Sequence, residues 1–298
     1  MYPFGKGLAR YLPMALLMIP LLLYVIFGLG PSIATIFFSL TNATGIPGVK
    51  WEFIGLENYR RFLFSSDSGE RIASAWRSVQ FAFSVVVIQN AIALFMAVII
   101  NKKLRGDVFY RATYFLPVVL GVTISGLIWK LMFNPIGGPV QSVLEMFGTR
   151  SNFFGSYDVA FELVIFVQIW MYMAYSMTIF LAGLQSIPKD MYEAGYIDGT
   201  TKWQSFRNIT FPMIAPAFTV NMLLSIIGAL QTFDIIYVLT NGAFYTRTLA
   251  LDVFSTAIAN NASADFGLAS ATAMVQFLLV LVVTVVAMIY LRRREVEM

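Results

Sequence analysis

Polar side chains that could do chemistry fall into three stretches of this sequence. In 159–184, Gln168, Tyr172 and Tyr175 recur at i, i+4 and i+7, one face of a helix. In 212–234, Asn221, Ser225, Gly228 and Thr232 keep the same spacing, with Gln231 beside them. Amides and hydroxyls can bond the hydroxyls of an uncharged sugar, and phenol rings offer planes to its apolar ring faces. The same stripes could equally be interhelical glue, worth about 0.6–2 kcal/mol per hydrogen bond. The isolated pair Gln89-Asn90 and Gln276 read as packing positions.

The third stretch is 185–212, QSIPKDMYEAGYIDGTTKWQSFRNITFP, polar and too long for a minimal helix connection. Pro188 precedes a helix-compatible run from Lys189, with Asp190 in the first turn to complement the helix dipole. Gly199 allows a turn before a second short helix from Lys202, and Pro212 opens the next apolar run. The spacing predicts a helix–turn–helix on a membrane face, exposed to a partner.

Other chemistries are excluded by composition. Cysteine and histidine are both absent. Disulfides, thiolate metal sites, iron–sulfur clusters, Ser-His-Asp triads, HExxH zinc sites and histidine proton shuttles therefore cannot form. No GxxxxGK[ST] occurs, so the chain cannot cradle ATP phosphates itself.

The elements that hold these residues are set by hydropathy. Of 298 residues, 58% are hydrophobic and 12% charged, with a mean hydropathy of +0.74. A soluble domain carries about 25% charged residues. Six runs are long enough to cross a bilayer: 12–40, 78–100, 112–133, 159–184, 212–234 and 266–291. All must be helices, because lipid tolerates only internally bonded backbones. Kinks are expected at Pro13, Pro20 and Pro31 in the first run, and at Pro117, Gly121 and Gly126 in the third. Lys6 and Arg10 precede the first run as in a signal peptide. That run is too long for one and has no A-x-A-like site, so it reads as an uncleaved span.

Basic residues suggest an orientation with both termini cytoplasmic. The inner side then holds Lys102, Lys103, Arg105 and Arg111, Lys189, Lys202 and Arg207, and Arg292, Arg293 and Arg294. The outer side holds Lys130, Arg150 and Arg247, and the cluster Lys50, Arg60, Arg61, Arg71 and Arg77 runs against the rule. The net charge of +4 reflects these loops rather than a nucleic-acid partner. Residues 51–64 and 246–259 read as interfacial helices, the latter with Leu249, Val253 and Ile258 near one face. Gly267, Ala269, Ala271 and Ala273 give the last run small-xxx-small spacing, a packing signal. Glu162, Lys130 and Asp234 lie near run ends, where charges reach the headgroups. Sequons at Asn42, Asn208 and Asn261 are read as chance.

The 185–212 stretch resembles the EAA loop of type I ABC importer permeases, whose pattern is Glu-Ala-Ala, a later Gly, then Ile-x-Leu-Pro. The matching positions are Glu193, Ala194, Gly195, Gly199, Ile209 and Pro212; Gly195 replaces the usual Ala and Phe211 the usual Leu. FIGLENY at 53–59, RATYFLP at 111–117, LTNG at 239–242 and Asp198 beside Gly199 resemble the carbohydrate branch. The likeness covers nearly the whole chain and is to the first of two paired sugar or glycerol-phosphate permeases, maltose-transporter-like.

The resemblance implies an all-α polytopic fold of about six transmembrane helices, forming a single permease domain over 1–298. It implies location in a bacterial inner membrane, a heterodimer with a second homologous permease, and two cytoplasmic nucleotide-binding ATPase subunits. ATP and Mg would sit on those subunits, with no cofactor in this chain. An extracytoplasmic solute-binding protein would deliver a sugar or oligosaccharide. The EAA helix would transmit ATPase closure to the spans, and Gln168, Tyr172, Tyr175, Gly228 and Thr232 match the substrate pathway of maltose-type permeases.

Rival classes fit less well. A secondary transporter usually keeps ionisable groups at mid-membrane for ion coupling, and the middles of all six runs lack Asp, Glu, Lys and Arg. An intramembrane enzyme has no histidine, cysteine or metal cluster to use. A permease for phosphate, polyamine or amino acid would favour countercharges along the pathway.

Overall fold

The computed structural model describes residues 8–46, 48–101, 107–259 and 264–293. Lys6, Lys102, Lys103, Arg105, Asn261 and Arg294 lie outside them. Regular structure among the described residues is helical, with one isolated bridge between Thr41 and Phe53. Two compact units emerge: Met1–Gly69 with Val253–Val275, and Glu70–Asp252 with Gln276–Met298.

The first unit opens with α1 (Leu8–Tyr24) and α2 (Gly30–Phe38), joined by a π-helical turn, Val25–Leu29, just before Pro31. Proline lacks the N–H that a continuous α-helix needs, and the wider turn absorbs that loss. The apolar faces of this span, including Leu17, Phe27 and Ile33, are exposed, as lipid-facing or partner-facing surface must be. The expected helix over 51–64 is shorter, α3 (Glu57–Phe64), because Phe53 pairs with Thr41 instead. Asn58 is buried and donates to the carbonyls of Ser39 (3.0 Å) and Thr41 (2.7 Å). Gly267 fits here because a Cβ would stand 2.1 Å from the Thr41 carbonyl oxygen. Its N–H donates to Ala43 at 2.8 Å, and Arg61 pairs with Asp265 at 2.7 Å.

In the second unit, α4 (Ser68–Ile100) begins at Ser68 rather than 78, a polar extension that hydropathy does not register. Arg77 stabilises it, pairing with Glu70 at 2.8 Å and donating to the Arg247 carbonyl at 3.3 Å. Next come α5 (Asp107–Met132), α6 (Pro139–Met146) and α7 (Ala160–Gln185). The break in α5 falls at Gly121, whose φ of +73° leaves the helical region. Lower down, Gly126 admits Val238 so closely that a Cβ would lie 2.5 Å from it. Trp129 packs edge-on against Phe166 and Trp170 of α7.

After α7 come α8 (Lys189–Ile197), α9 (Lys202–Ser205), a π-helical turn Phe206–Thr210, α10 (Phe211–Met213) and α11 (Ala215–Gln231). The continuous helix expected over 212–234 is not what forms. Lys202–Met213 and Ala215–Gln231 meet at 67°, with Pro216 in the first turn of α11. Thr232 then takes an extended backbone, and Asp234 opens α12 (Asp234–Thr240). Among the described residues, five helices are long and apolar enough to cross a membrane, or six with the bent pair counted as one span.

The expected amphipathic helix over 246–259 is also interrupted. It divides into α13 (Leu249–Phe254) and a π-helical turn, Ser255–Ala259, before α14 (Phe266–Arg292). The turn shifts the register, so Leu249 is buried while Ile258 is 59% exposed. Leu249 N–H donates to Ser78 Oγ at 2.8 Å, and Arg247 pairs with buried Asp252 at 2.9 Å. Burial pushes the Asp252 carboxyl above the ordinary carboxylate range, and the Arg247 charge opposes that rise.

Candidate functional site

Two sites take shape in the second unit, one at 185–212 and one where the polar stripes of 159–184 and 212–234 meet. In the 185–212 segment, Pro188 is extended and hands over to α8, whose first turn carries Asp190. Gly199 adopts φ +72°, letting the chain reverse, and the Thr200 N–H and hydroxyl both donate to the Gly195 carbonyl (3.0 and 2.8 Å). Thr201 and Gln204 then form a reciprocal capping box that starts α9. These are local signals, and the sequence carries all of them.

The packing explains the departure at Gly195. Gly195 is buried, and a Cβ there would meet Ile209 Cδ1 at 2.7 Å and Thr200 Oγ1 at 3.1 Å. Glycine lets Ile209, on the π-helical turn, lie against α8. Tyr192 OH bonds Thr210 Oγ1 at 3.1 Å, a second tie between the same elements. Ile187, Tyr192, Met213 and Ile214 join a core with Ala93 and Ala97 of α4 and Phe180 and Leu184 of α7. The segment is therefore anchored to the C-terminal ends of two long helices, α4 and α7.

Its outer side has no such cover. Glu193, Ala194, Asp198 and Gly199 are exposed, and Tyr196 and Ile197 are both 84% exposed. Pro212 sits in the first turn of α10, at the approach to the 67° bend. Sequence reasoning missed Tyr192 and Thr210, whose types carry no signal until the turn between them is known.

The second site is a cavity of about 330 Å³ among α4, α5, α7 and α11. Its lining unites Gln168, Tyr172 and Tyr175 with Asn221, Ser225, Gly228 and Thr232. Gln231 is not among the lining residues; it is exposed, on another face of α11. Gln89 and Ser176 also line it and were not anticipated as cavity residues. No lining residue is charged.

Several of these polar side chains bond one helix to another. Asn221 donates to Asn90 Oδ1 at 2.7 Å, Asn90 to Ser225 Oγ at 3.2 Å, and Gln89 to Ser176 Oγ at 2.8 Å. These bonds bind α4, α7 and α11 together, and Gln276 likewise donates to the Leu230 carbonyl at 3.3 Å. Gln168 donates to Thr232 Oγ1 at 3.3 Å, and Thr232 donates to the Gly228 carbonyl at 2.8 Å. Yet Gln168 Oε1 and Asn221 Oδ1 are buried without a protein donor. Leaving such an acceptor unbonded costs about 1–3 kcal/mol, so it calls for water or a solute hydroxyl. Tyr175 is 52% exposed, and at Gly228 the backbone is bare, with open space where a Cβ would stand.

Comparison with known proteins places this architecture. The family described as binding-protein-dependent transport system inner membrane component matches residues 89–296. The probable starch degradation products transport system permease protein AmyD of Thermoanaerobacterium thermosulfurigenes is 31% identical over 297 residues. That match spans 99% of this chain and 98% of AmyD. The trehalose/maltose transport system permease protein MalF of Thermococcus litoralis is 34% identical over 274 residues, 91% and 90% of the two chains. In fold, the chain is similar to one in the crystal structure of a bacterial ABC transporter involved in importing the acidic polysaccharide alginate. There the TM-score is 0.81 at 20% identity, over 97% of this chain and 98% of that one. A multi-pass helical protein with this coverage is a transport subunit and not an enzyme: the chain belongs to the family of binding-protein-dependent transport system inner membrane components.

Proposed function

We propose that residues 1–298 act as one permease domain that passes a neutral sugar or oligosaccharide across a bacterial inner membrane by alternating access. The cavity carries this reading: amide oxygens awaiting donors, a half-exposed tyrosine ring and no charge. Uncharged polar groups suit sugar hydroxyls, whereas a phosphate or an amino acid would need a countercharge. The named substrates of AmyD and MalF, starch degradation products and trehalose or maltose, point the same way.

In this reading a second permease of the family pairs with the chain, and an extracytoplasmic binding protein delivers the solute. Cytoplasmic ATPase subunits, holding ATP and Mg, grip the exposed face of α8 formed by Glu193, Tyr196 and Ile197. Their closure moves α8, and the Gly195–Ile209 contact with the Tyr192–Thr210 bond carries that motion into the bent fifth span. Both termini lie on the ATPase side. Reconstitution of the full importer tests the substrate class. Gln168→Leu and Tyr175→Ala should lower transport of the cognate sugar at least tenfold while the complex still assembles. Unchanged sugar transport in both variants would remove the cavity from the pathway.

A further inference from the structure

We propose that the groove between α4 and α7, distinct from the polar cavity, holds a single phospholipid whose headgroup carries a phosphate and a primary ammonium. The groove has a volume of about 880 Å³ and graded walls. At the end farthest from the 185–212 segment it is polar, with Arg77, Gln80, Ser84 and Glu162. Deeper in, the walls are Ile88, Ile92, Ile165, Ile169 and Met173, with the indole of Trp170 among them.

From Glu162 to Met173 the helix rises about 16 Å, close to the depth of one leaflet, roughly half of a 30 Å hydrocarbon core. A saccharide would need hydrogen-bond partners along that whole length, and the deep walls offer a single N–H, on the Trp170 indole. An acyl chain needs none. The polarity gradient thus matches a molecule with its head at the mouth and its tails toward the bilayer midplane.

The charges at the mouth choose the headgroup. Arg77 is held by Glu70 at 2.8 Å and by the ring of Tyr245 at 5.5 Å, so its guanidinium is fixed in place. Its positive charge is already balanced by Glu70. Glu162 is exposed and makes no ion pair among the described residues. The uncompensated charge is negative, which favours an ammonium-bearing head over a purely anionic one. The ammonium meets Glu162, and the phosphate oxygens accept from the Arg77 guanidinium and Gln80.

The test uses the intact importer, purified with its partner subunits and stripped by detergent. It is then exchanged against vesicles of phosphatidylethanolamine, phosphatidylcholine or phosphatidylglycerol, and retained lipid is counted by native mass spectrometry. Wild type should retain phosphatidylethanolamine over the other two. Glu162→Gln should weaken that retention roughly fivefold. Ile169→Trp, which fills the groove, should abolish it, whereas Val286→Trp on an exposed face of α14 should not change it. Equal retention of all three lipids, or by all variants, overturns the proposal. So does a single cysteine at Ile88 that cross-links to another subunit instead of to a photoactivatable phosphatidylethanolamine, since a protein helix then occupies the groove.

Discussion

Gly195 shows how one side chain can reconcile two opposing tendencies. Glycine in a helix forfeits up to about 1 kcal/mol of helix propensity relative to alanine. A methyl there presses on the far end of Ile209, which can yield by a small rotation. Gly195→Ala should therefore change the melting temperature of the purified complex little, with the two effects nearly offsetting. Gly195→Leu cannot be absorbed and should lose more than about 2 kcal/mol along with ATPase coupling. Tyr192→Phe keeps the ring and deletes one hydrogen bond, a loss of about 1 kcal/mol. Its expected signature is ATP hydrolysis that continues while sugar uptake per ATP falls; an unchanged ratio would free Tyr192 from any part in coupling. From the sequence, Gly199 and Pro212 were legible as a turn and a helix start, and Glu193 through the resemblance of its motif. Tyr192 and Thr210 were not, because their meeting depends on how a π-helical turn folds back.

At the scale of elements, the long helices follow from hydropathy, and their errors have physical causes. The N-terminal extension of α4 is polar and rests on the Arg77–Glu70 pair, which a hydropathy window cannot see. The fifth span bends where α10 meets α11, a geometry that apolar composition leaves open. The register slip beyond α13 arises from a π-helical turn with no residue signature of its own. The glycine break in α5 was legible, since Pro117 and Gly121 both disfavour a straight helix. Beside α13, Asp252 offers a pH test. Its carboxyl titrates higher in the fold than in an unfolded chain, so its ionisation opposes folding. That opposition is complete above the raised pKa and fades as pH falls toward the ordinary value of about 3.9. The melting temperature of wild type should rise relative to Asp252→Asn as pH is lowered from neutral toward about 4. A constant difference would mean that Asp252 titrates normally.

For the whole molecule, the sequence marks out a helical membrane protein with a polar segment at 185–212, and leaves open what lies between the helices. The cavity brings residues more than 60 positions apart, such as Gln168 and Thr232, into hydrogen-bonding distance. Helical periodicity placed each stripe on a face, but only packing could say that the two faces meet and that Gln231 turns away. The central claim is that α8 engages a separate ATPase, and the absence of native cysteine makes it directly testable. Single cysteines at Ile197, on the exposed side of α8, and at Tyr157, near the start of α7, would be cross-linked in the assembled importer and the products identified. The account predicts that the Ile197 cysteine joins the ATPase subunit, with a yield that changes when ATP is added, and that the Tyr157 cysteine never does. An Ile197 cysteine that fails to reach an ATPase, in a preparation that still transports sugar without ATP, would contradict it.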